Sequence, residues 1–520
     1  MTPTSPASSQ PSRQPAGALE HVDVLIVGAG LSGIGAASHL QARLPGKSYA
    51  ILEARDAVGG TWDLFRYPGI RSDSDMQTLG YRFRPWSEDK AIADGPSILR
   101  YVRETAGERG IDERIRFNHR VVSADWSSTE ARWTIEAVRT DGGASGTHAS
   151  NGAHKGVGGE LVRLTCGFLF ACGGYYRYDE GFTPRFEGAD RFEGPIVHPQ
   201  HWPQELDYAG KRIVVIGSGA TAVTLVPALA ERAAHVTMLQ RSPTYVISIP
   251  SADALANGLR RLLGERRAYA ITRRKNIRLQ ALVYGASRRW PRLVRRLIRA
   301  LQKRQLPPGY DLDTHFTPRY DPWDQRLCAV PDGDLFKAIR AGHASIETDR
   351  VETFTERGLR LGSGAELEAD IVITATGLNL QAFGGVELSV DGRRIALPET
   401  MAYKGMMLTG VPNFAFAVGY TNASWTLKVD LACEYVCRLL ADMDSHGYER
   451  AVPENDDPSV TTRPLLDFAA GYVQRSIDEF PRQGSRAPWE LGMSYGNDAK
   501  TLRRGPIADD ALRFSSRAEP

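Results

Sequence analysis

Two segments of the chain share a pattern of a short apolar run, a turn of small residues and an alanine-rich stretch. The apolar runs are Val22 to Val27 and Ile213 to Ile216. The turns place their small residues at Gly28, Gly30 and Gly33 in the first segment and at Gly217, Gly219 and Ala222 in the second. A buried strand, a GxGxxG or GxGxxA turn and a helix are typical of dinucleotide-binding units. The pattern predicts an α/β fold with two Rossmann-type domains and a helical insertion.

The residue after the second strand of each unit predicts which dinucleotide it binds. Tyr49 to Leu52 ends at Glu53, an acid suited to a ribose hydroxyl, which favours FAD. His235 to Leu239 runs instead into Gln240, Arg241 and Ser242. A guanidinium there suits the 2′-phosphate of NADP. We therefore predict one FAD site and one NADP site. The alternative is that Arg241 is an ordinary surface arginine that binds no phosphate.

These motifs divide the chain into domains. We predict a disordered tail over 1–20, an FAD-binding domain over 21–178 and 376–515, an NADP-binding domain over 179–250 and 321–375, and a helical basic subdomain over 251–320. A Gly-, Ser- and His-rich stretch at 140–158 lacks periodicity and is interpreted as a hairpin insertion, not a metal site. The last long helix is predicted from Asn422 to Leu440.

The amino-acid composition limits the class of protein and the cellular location to be expected. The 520 residues are 42% hydrophobic and 24% charged, as in soluble globular proteins. Five cysteines, at positions 166, 172, 328, 433 and 437, form no CxxC pair, which argues against a disulfide framework or zinc. The Ser- and Pro-rich N-terminus has no apolar core, so we expect neither a signal peptide nor a membrane span. A reducing, cytoplasmic location is the default expectation.

Charge is concentrated in one window. Sixteen basic residues and one acid, Glu265, lie between Arg260 and Arg304. Apolar and basic residues alternate there at helical spacing, which is compatible with peripheral contact to an anionic membrane. A helical subdomain with solvated arginines is the alternative interpretation. Few aromatic residues accompany the charges, so nucleic-acid binding is not predicted.

Two further motifs are specific enough to indicate a family. Phe192, Gly194, His198, Trp202 and Pro203 fit FxGxxxHxxxWP at every defined position. Gly60, Thr61 and Trp62 begin a second segment that continues through a Tyr-Pro-Gly run to Asp73. With the runs PWDQRLC and TNASWTLK, they resemble type I Baeyer–Villiger monooxygenases, a class of flavoprotein monooxygenases, and within them the ethionamide-activating, EthA-like subgroup.

The resemblance implies a function. Members reduce FAD with NADPH and react it with O₂ to a C4a-peroxyflavin, which inserts oxygen into ketones to give esters or lactones, or oxidises organosulfur compounds such as sulfides and thioamides. The expected substrate is thus a small apolar ketone or organosulfur compound. Competing hypotheses are a monooxygenase that oxidises only sulfur or nitrogen, and a membrane-docked flavin redox sensor. A disulfide reductase would need a CxxC pair, which is lacking.

The resemblance also assigns residue roles. It implies that Arg326 is the catalytic arginine and that Asp73 pairs with it. Gln325 stands where many relatives carry a lysine that helps bind the 2′-phosphate. Gly60, Thr61 and Trp62 would contact the flavin, and the fingerprint from Phe192 to Pro203 would act as a hinge between the cofactor domains. The alternatives are a helix N-cap for Asp73 and a surface ion pair with Asp324 for Arg326.

Three aromatic residues are further candidates. Trp425, Tyr420 and Trp489 are considered as linings of the substrate or nicotinamide pocket, although large aromatics are more often part of the core.

Overall fold

A computed structural model describes residues 19–140, 159–325, 327–466 and 470–516. The predicted tail up to residue 18, nearly all of the predicted insertion (141–158) and Arg326 lie outside these ranges.

The larger of two central sheets is built from both ends of the chain. Glu20–Val27 lies in its middle, parallel to Tyr49–Leu52 on one side and to Glu160–Ala171 on the other. Phe414–Phe416 and Glu387–Val390, from the far end of the sequence, pair in parallel with strands of the first part. The remaining strands of this sheet are Ile115–Arg116, His119–Ser127, Arg132–Arg139 and Arg393–Arg394.

The smaller central sheet is entirely parallel. Its order is Ala344–Thr348, His235–Gln240, Arg212–Ile216, Ile371–Thr374 and Ile196–Val197. Ile371–Thr374 is buried along its whole length because parallel sheets are covered on both faces. Helices Ala220–Ala230 and Asp334–Arg340 contribute to that cover. The predicted α/β fold with two Rossmann-type domains is confirmed.

Shorter elements complete the described part of the chain. The small sheets pair Tyr245–Ile249 with Leu327–Pro331, Ala402–Tyr403 with Met407–Leu408, Arg450–Pro453 with Leu512–Ser515, and Thr462–Pro464 with Arg482–Gly484, and join Val351–Thr355, Gly358–Leu361 and Glu366–Glu368. Further α-helices are Leu31–Arg43, Thr61–Leu64, Met76–Leu79, Gly95–Glu108, Leu312–Phe316, Gly471–Gln474 and Tyr495–Arg504.

The predicted bounds of the last long helix were wrong at both ends. The helix runs Trp425–His446 rather than from Asn422 to Leu440. Ser424 has extended dihedral angles (φ −59°, ψ 137°), so the helix starts after it. Gly447 adopts the left-handed conformation (φ 70°) that commonly terminates helices.

Two antiparallel strands connect the central sheets. Tyr176–Gly181 follows the strand Glu160–Ala171 of the larger sheet, and Leu378–Leu380 follows the strand Ile371–Thr374 of the smaller one. The two pair with each other. The chain therefore leaves the larger sheet and returns to it along one narrow ribbon.

Three consecutive helices form a helical layer: Ala254–Leu263, Glu265–Arg289 and Pro291–Gln305. The middle helix packs on helix Met76–Leu79, and the last packs on strand Tyr245–Ile249. Arg273, 5% exposed, anchors the middle helix. Its Nη1 donates to the Gln77 and Gly80 carbonyls at 2.8 Å, and its Nη2 contacts Asp430 at 3.1 Å. Burial by itself raises the pKa of Asp430, but hydrogen bonding to His39 and the Arg273 charge outweigh it and hold that pKa below its usual range. The carboxylate is thus a buried anion paired with a buried cation.

We predict that Arg273→Met lowers the free energy of unfolding by about 3–5 kcal/mol at pH 7, because it leaves the buried Asp430 charge uncompensated. Urea unfolding followed by tryptophan fluorescence measures this. The neighbouring Arg274, which is exposed, provides the control Arg274→Met. Equal stability of the two variants would contradict the anchoring role.

Candidate active site

The first glycine turn is closed by contacts between backbone atoms. Gly28 has φ 100°, and a Cβ added to Gly33 would lie 1.9 Å from the Gly28 carbonyl oxygen. Helix Leu31–Arg43 begins directly after Gly30 with no side-chain cap. Its first N–H groups are therefore available to a phosphate.

Glu53 lies beside this turn, as predicted from its position after the second strand. Its carboxylate accepts the Ala29 N–H at 2.6 Å and the Arg55 N–H at 2.9 Å. Burial raises the pKa of Glu53 despite these hydrogen bonds. A carboxylate has about four acceptor positions, so two remain for ribose hydroxyls. The turn and the acid thus fit a dinucleotide.

The segment beginning at Gly60 lies across from the first turn. Gly60 has φ 57°, and a Cβ on it would lie 3.0 Å from the Gly30 Cα. The Thr61 and Tyr178 hydroxyl oxygens are 3.2 Å apart. Trp62 is half-buried and packs against the core of the larger sheet. These three predicted flavin contacts therefore flank the first cradle.

An acidic side chain that sequence reasoning missed fixes this segment. Asp63 is buried and has Arg55 within 2.7 Å and Arg66 and Arg103 within 3.0 Å. Arg103 comes from helix Gly95–Glu108, forty positions away, so no local motif indicates it. The three guanidinium groups hold the start of the segment in place.

The same segment then crosses to the second Rossmann unit. Phe65 and Tyr67 are buried in the core around the smaller sheet. Gly69 has φ 79°, and a Cβ there would lie 2.7 Å from the Ala228 Cβ and 2.9 Å from the Thr224 carbonyl oxygen, both on helix Ala220–Ala230. Only glycine fits this approach. Asp73 lies four residues further along the chain, so we expect it near the junction of the two units.

Asp73 is exposed, and the Ser74 hydroxyl donates to it at 3.4 Å. Helix Met76–Leu79 is capped by Asp75, which accepts the Thr78 N–H at 3.0 Å. The alternative that Asp73 is the N-cap was therefore wrong. Asp324 contacts Arg288 at 2.6 Å. The pairing of Asp73 with Arg326 stays a prediction, because Arg326 lies outside the described residues.

The second glycine turn differs from the first. A Cβ on Gly217 would lie 2.3 Å from the Ala375 carbonyl oxygen, whereas one on Gly219 would meet nothing within 4 Å. Helix Ala220–Ala230 begins after Gly219 without a side-chain cap, and Ala222 is fully buried. Gly219 thus presents open backbone to a ligand.

The residues predicted to bind the 2′-phosphate of NADP lie at the end of the neighbouring strand. Arg241 and Ser242 are exposed after His235–Gln240, and the Ser218 hydroxyl donates to the Ser242 carbonyl at 3.1 Å. Tyr245 is paired with Leu327 in a parallel register. That register brings the half-buried Gln325 toward the same edge as Arg241.

The fingerprint lies at the connecting ribbon. Phe192 is buried, and a Cβ on Gly194 would lie 2.3 Å from the Asp370 carbonyl oxygen. His198 Nδ1 accepts the Gln200 N–H at 3.2 Å, so its proton belongs on Nε2, which is 3.1 Å from the Gly377 carbonyl oxygen. Burial lowers the pKa of His198. A neutral imidazole therefore fastens the returning strand.

Gln200 extends this link toward the first cradle. Its side-chain amide donates to the Arg177 and Tyr178 carbonyls, each at 3.0 Å. Tyr178 in turn contacts Thr61. Trp202 packs its edge against Tyr208, and Pro203 is exposed. The structure thus connects His198 to Thr61 through Gln200, a variable position of the fingerprint, and Tyr178, which lies outside the predicted motifs.

Comparison with known proteins shows which family the chain belongs to. An NAD(P)-binding Rossmann-like domain profile matches residues 26–88, and a flavin-binding monooxygenase-like profile matches residues 166–408. The FAD-containing monooxygenase EthA of Mycobacterium tuberculosis is 58% identical over 502 residues, which cover 96% of this chain and 99% of that protein. This chain belongs to the EthA-like FAD-containing monooxygenases. The resemblance to type I Baeyer–Villiger monooxygenases predicted from its motifs is confirmed.

Other relatives agree. The putative FAD-containing monooxygenase MymA of Mycobacterium tuberculosis is 52% identical over 505 residues, covering 96% of this chain and 99% of that protein. Among solved structures, an oxidized steroid monooxygenase bound to NADP superposes with a TM-score of 0.74 at 21% identity, covering 95% of this chain and all of the other. At that identity the likeness shows the fold that this EthA-like chain adopts.

The three aromatic candidates for lining the pocket have different surroundings in this EthA-like structure. The Trp425 indole N–H donates to Ser32 Oγ at 2.9 Å, beside the first glycine turn. Tyr420 is buried and donates to Asp498 at 2.6 Å. Trp489 is buried against Tyr403. Trp425 alone of the three contacts a cradle residue, and Trp489 belongs to the core.

Within the described ranges of this EthA-like chain, the cysteines form no disulfide and the side chains that could bind a metal ion form no metal site. All five cysteines are buried and none forms a disulfide, and burial raises the thiol pKa of Cys166, Cys172, Cys433 and Cys437. No group of three metal-ligating side chains is found among the residues described. Cys433 and Cys437, one turn apart on helix Trp425–His446, behave as buried small side chains.

We predict that Gly33→Ala reduces the FAD content of the purified protein to a small fraction of the wild-type value, because its Cβ would overlap the Gly28 carbonyl and open the cradle. Absorbance of flavin against protein measures occupancy. Gly46→Ala is the matched control, since a Cβ there meets no atom within 4 Å. Full occupancy in the Gly33 variant would contradict the proposed closure.

Proposed function

We propose that this chain uses NADPH and O₂ to insert one oxygen atom into apolar ketones, giving esters or lactones, and to oxidise organosulfur compounds such as sulfides and thioamides. The observation that carries the proposal is the segment from Gly60 to Asp73. It begins against the first cradle and packs on the helix of the second. Two dinucleotides bound there would face the same junction.

The first cradle suits FAD and the second suits NADPH. Bound FAD supplies the redox chemistry that passes electrons from NADPH to O₂. One oxygen atom enters the product, and the other leaves as water, whose two hydrogens and two electrons come from the hydride of NADPH and one proton. The protein's part is to bind the two dinucleotides in one orientation through the two helix N-termini. Glu53 would bind the ribose hydroxyls of FAD, and Arg241 would bind the 2′-phosphate of NADPH.

Arg326 and Asp73 are proposed as the charged pair of the reaction. Arginine stays protonated at any pH at which the protein is folded, so it stabilises developing negative charge without losing a proton. We expect Asp73 near the junction of the two units, where it would orient that guanidinium.

His198 is proposed to couple the two sites rather than to contact substrate. It bonds to Gly377 at the start of the returning strand, and Gln200 and Tyr178 continue from it to Thr61. A shift of the NADP domain would therefore displace Thr61 in the segment predicted to contact the flavin. The fingerprint fits a hinge, because both strands that connect the domains meet there.

The substrate proposal rests on relatives. One structural neighbour is cyclohexanone monooxygenase with ε-caprolactone bound, which superposes with a TM-score of 0.70 at 18% identity over 95% of this chain and all of the other. Both ketone insertion and sulfur oxidation are proposed for this chain. No described helix has the length and apolar composition to cross a bilayer.

We predict that the purified holoprotein consumes NADPH in the presence of phenylacetone or a methyl phenyl sulfide and forms the ester or the sulfoxide. Arg326→Ala should lower product formed per NADPH by about 100-fold, since loss of one charge-stabilising donor costs this much. Gas chromatography of products, with NADPH absorbance and a peroxide assay, gives the ratio. FAD content of the variant serves as the internal control.

The alternatives give different results. Sulfoxide without any ester would identify an enzyme that oxidises only heteroatoms. NADPH oxidation that yields peroxide alone with both substrates would reject the monooxygenase proposal for them.

We predict that Arg241→Ala raises the KM for NADPH about ten- to hundredfold while the KM for NADH changes little, because a hydrogen bond to a charged phosphate contributes about 1.5–3 kcal/mol. Steady-state kinetics with both nucleotides measures this. Arg357→Ala removes a second exposed arginine and is the control. A parallel change for both nucleotides would show that Arg241 does not read the 2′-phosphate.

A further inference from the structure

The layer of three helices carries most of the exposed large hydrophobic side chains in the described part of the molecule. Among the described residues, fourteen large hydrophobic side chains are exposed, and eleven of them lie between Leu255 and Leu301. Leu262, Leu282 and Leu293 are 81%, 70% and 63% exposed. Scattered exposed leucines are ordinary, but a concentration of them marks a binding surface. We call this surface the outer helical face.

The last helix of the layer shows how the face is organised. Leu293, Leu297 and Leu301 recur every four residues, which places them on one side, and all three are exposed. Ile298 and Gln302 lie on the opposite side and are buried. Helices of a globular domain normally turn their apolar stripe inward. Here the leucine stripe faces outward.

Positive charge surrounds the stripe. Six of the sixteen basic residues between Arg260 and Arg304 contact acidic side chains of the protein. The other ten are exposed and have no ion pair within the described parts of the chain. Arg292, Arg296 and Lys303 are among them and flank the leucines of the last helix. The charge is therefore available to an external partner.

We propose that the outer helical face docks on the surface of an anionic lipid bilayer. A helix that lies in the interface inserts apolar side chains between acyl chains while arginine and lysine contact anionic head groups. Trp290, at the joint between the last two helices, is 57% exposed and is a side chain that favours the interface. Apolar insertion and charge complementarity thus point to one occupant.

Two other occupants match the surface less well. A symmetric contact between two copies would bring the unpaired cations of each close to those of the other, which is unfavourable. Nucleic acid would use the cations but leave the leucine stripe without a partner. Lipid is the occupant that uses both sets of side chains.

The inner face of the helical layer is already packed against the rest of the protein. The outer helical face therefore cannot turn inward without breaking those contacts. Arg273 is bonded to the backbone and to Asp430, while the Asn276 and Gln280 amides donate to Asp75 at 2.8 and 3.0 Å. These contacts hold the middle helix from beneath. The inference goes beyond the proposed function and does not depend on it.

Co-sedimentation of the holoprotein with vesicles tests the proposal. The vesicles contain phosphatidylcholine alone or phosphatidylcholine and phosphatidylglycerol in equal parts, at low and high NaCl. We expect binding to the mixed vesicles that weakens in salt. Leu293→Ser with Leu297→Ser, and separately Arg292→Glu with Arg296→Glu, should each reduce the partition coefficient by at least about tenfold.

The controls change similar residues elsewhere. Leu19→Ser with Leu161→Ser removes exposed leucines, and Arg185→Glu with Arg357→Glu reverses exposed arginines, all outside the layer. These variants should bind vesicles as the wild type does, and every variant should keep its FAD content and NADPH oxidation.

Several results would overturn the proposal. They are absence of binding to mixed vesicles, equal binding to neutral vesicles, and wild-type binding by the leucine variant. A dimer that the leucine variant converts to monomers, without vesicle binding, would assign the face to a second copy. Binding to DNA in place of vesicles, lost only in the charge variants, would assign it to nucleic acid.

Discussion

The close packing of Gly69 on helix Ala220–Ala230 fixes the arrangement on which the rest of the site depends. The contact is between a backbone with positive φ and a helix surface, so it leaves no room for a side chain. Phe65 and Tyr67 bury their rings in the core of the second unit just before it. A segment that starts at the first cradle is thereby fixed to the second. The relative position of two nucleotide sites follows from that attachment.

The connecting ribbon offers a second route between the same units, of a different physical kind. The first route is close packing, which tolerates little displacement. The second is a series of hydrogen bonds from His198 through Gln200 and Tyr178 to Thr61, which can break and reform. A rigid contact and an adjustable one between two domains are what a hinge requires. The fingerprint residues lie on the adjustable side.

Sequence reasoning found the residues whose positions are set locally. The glycine turns, Glu53 and the segment from Gly60 follow strands that a short apolar run reveals, so their places in the fold were predictable. Asp63 and Arg103, and Arg273 and Asp430, meet only through tertiary packing and leave no local pattern. Asp73 was ambiguous among several Ser and Asp residues, and backbone geometry assigned the cap to Asp75. The end of the last long helix was missed because apolar residues continue past Leu440, while Gly447 decides where it stops.

The two glycine turns differ in what closes them, and this bears on how long each nucleotide stays bound. The first turn is packed against the protein's own backbone at Gly28, Gly33 and Gly60, so its shape exists before any ligand arrives. Such a preformed site loses little entropy on binding and is suited to a resident cofactor. Gly219 in the second turn borders open space. A more open turn is suited to a nucleotide that enters and departs within a catalytic cycle, whereas the packed turn is suited to one that stays.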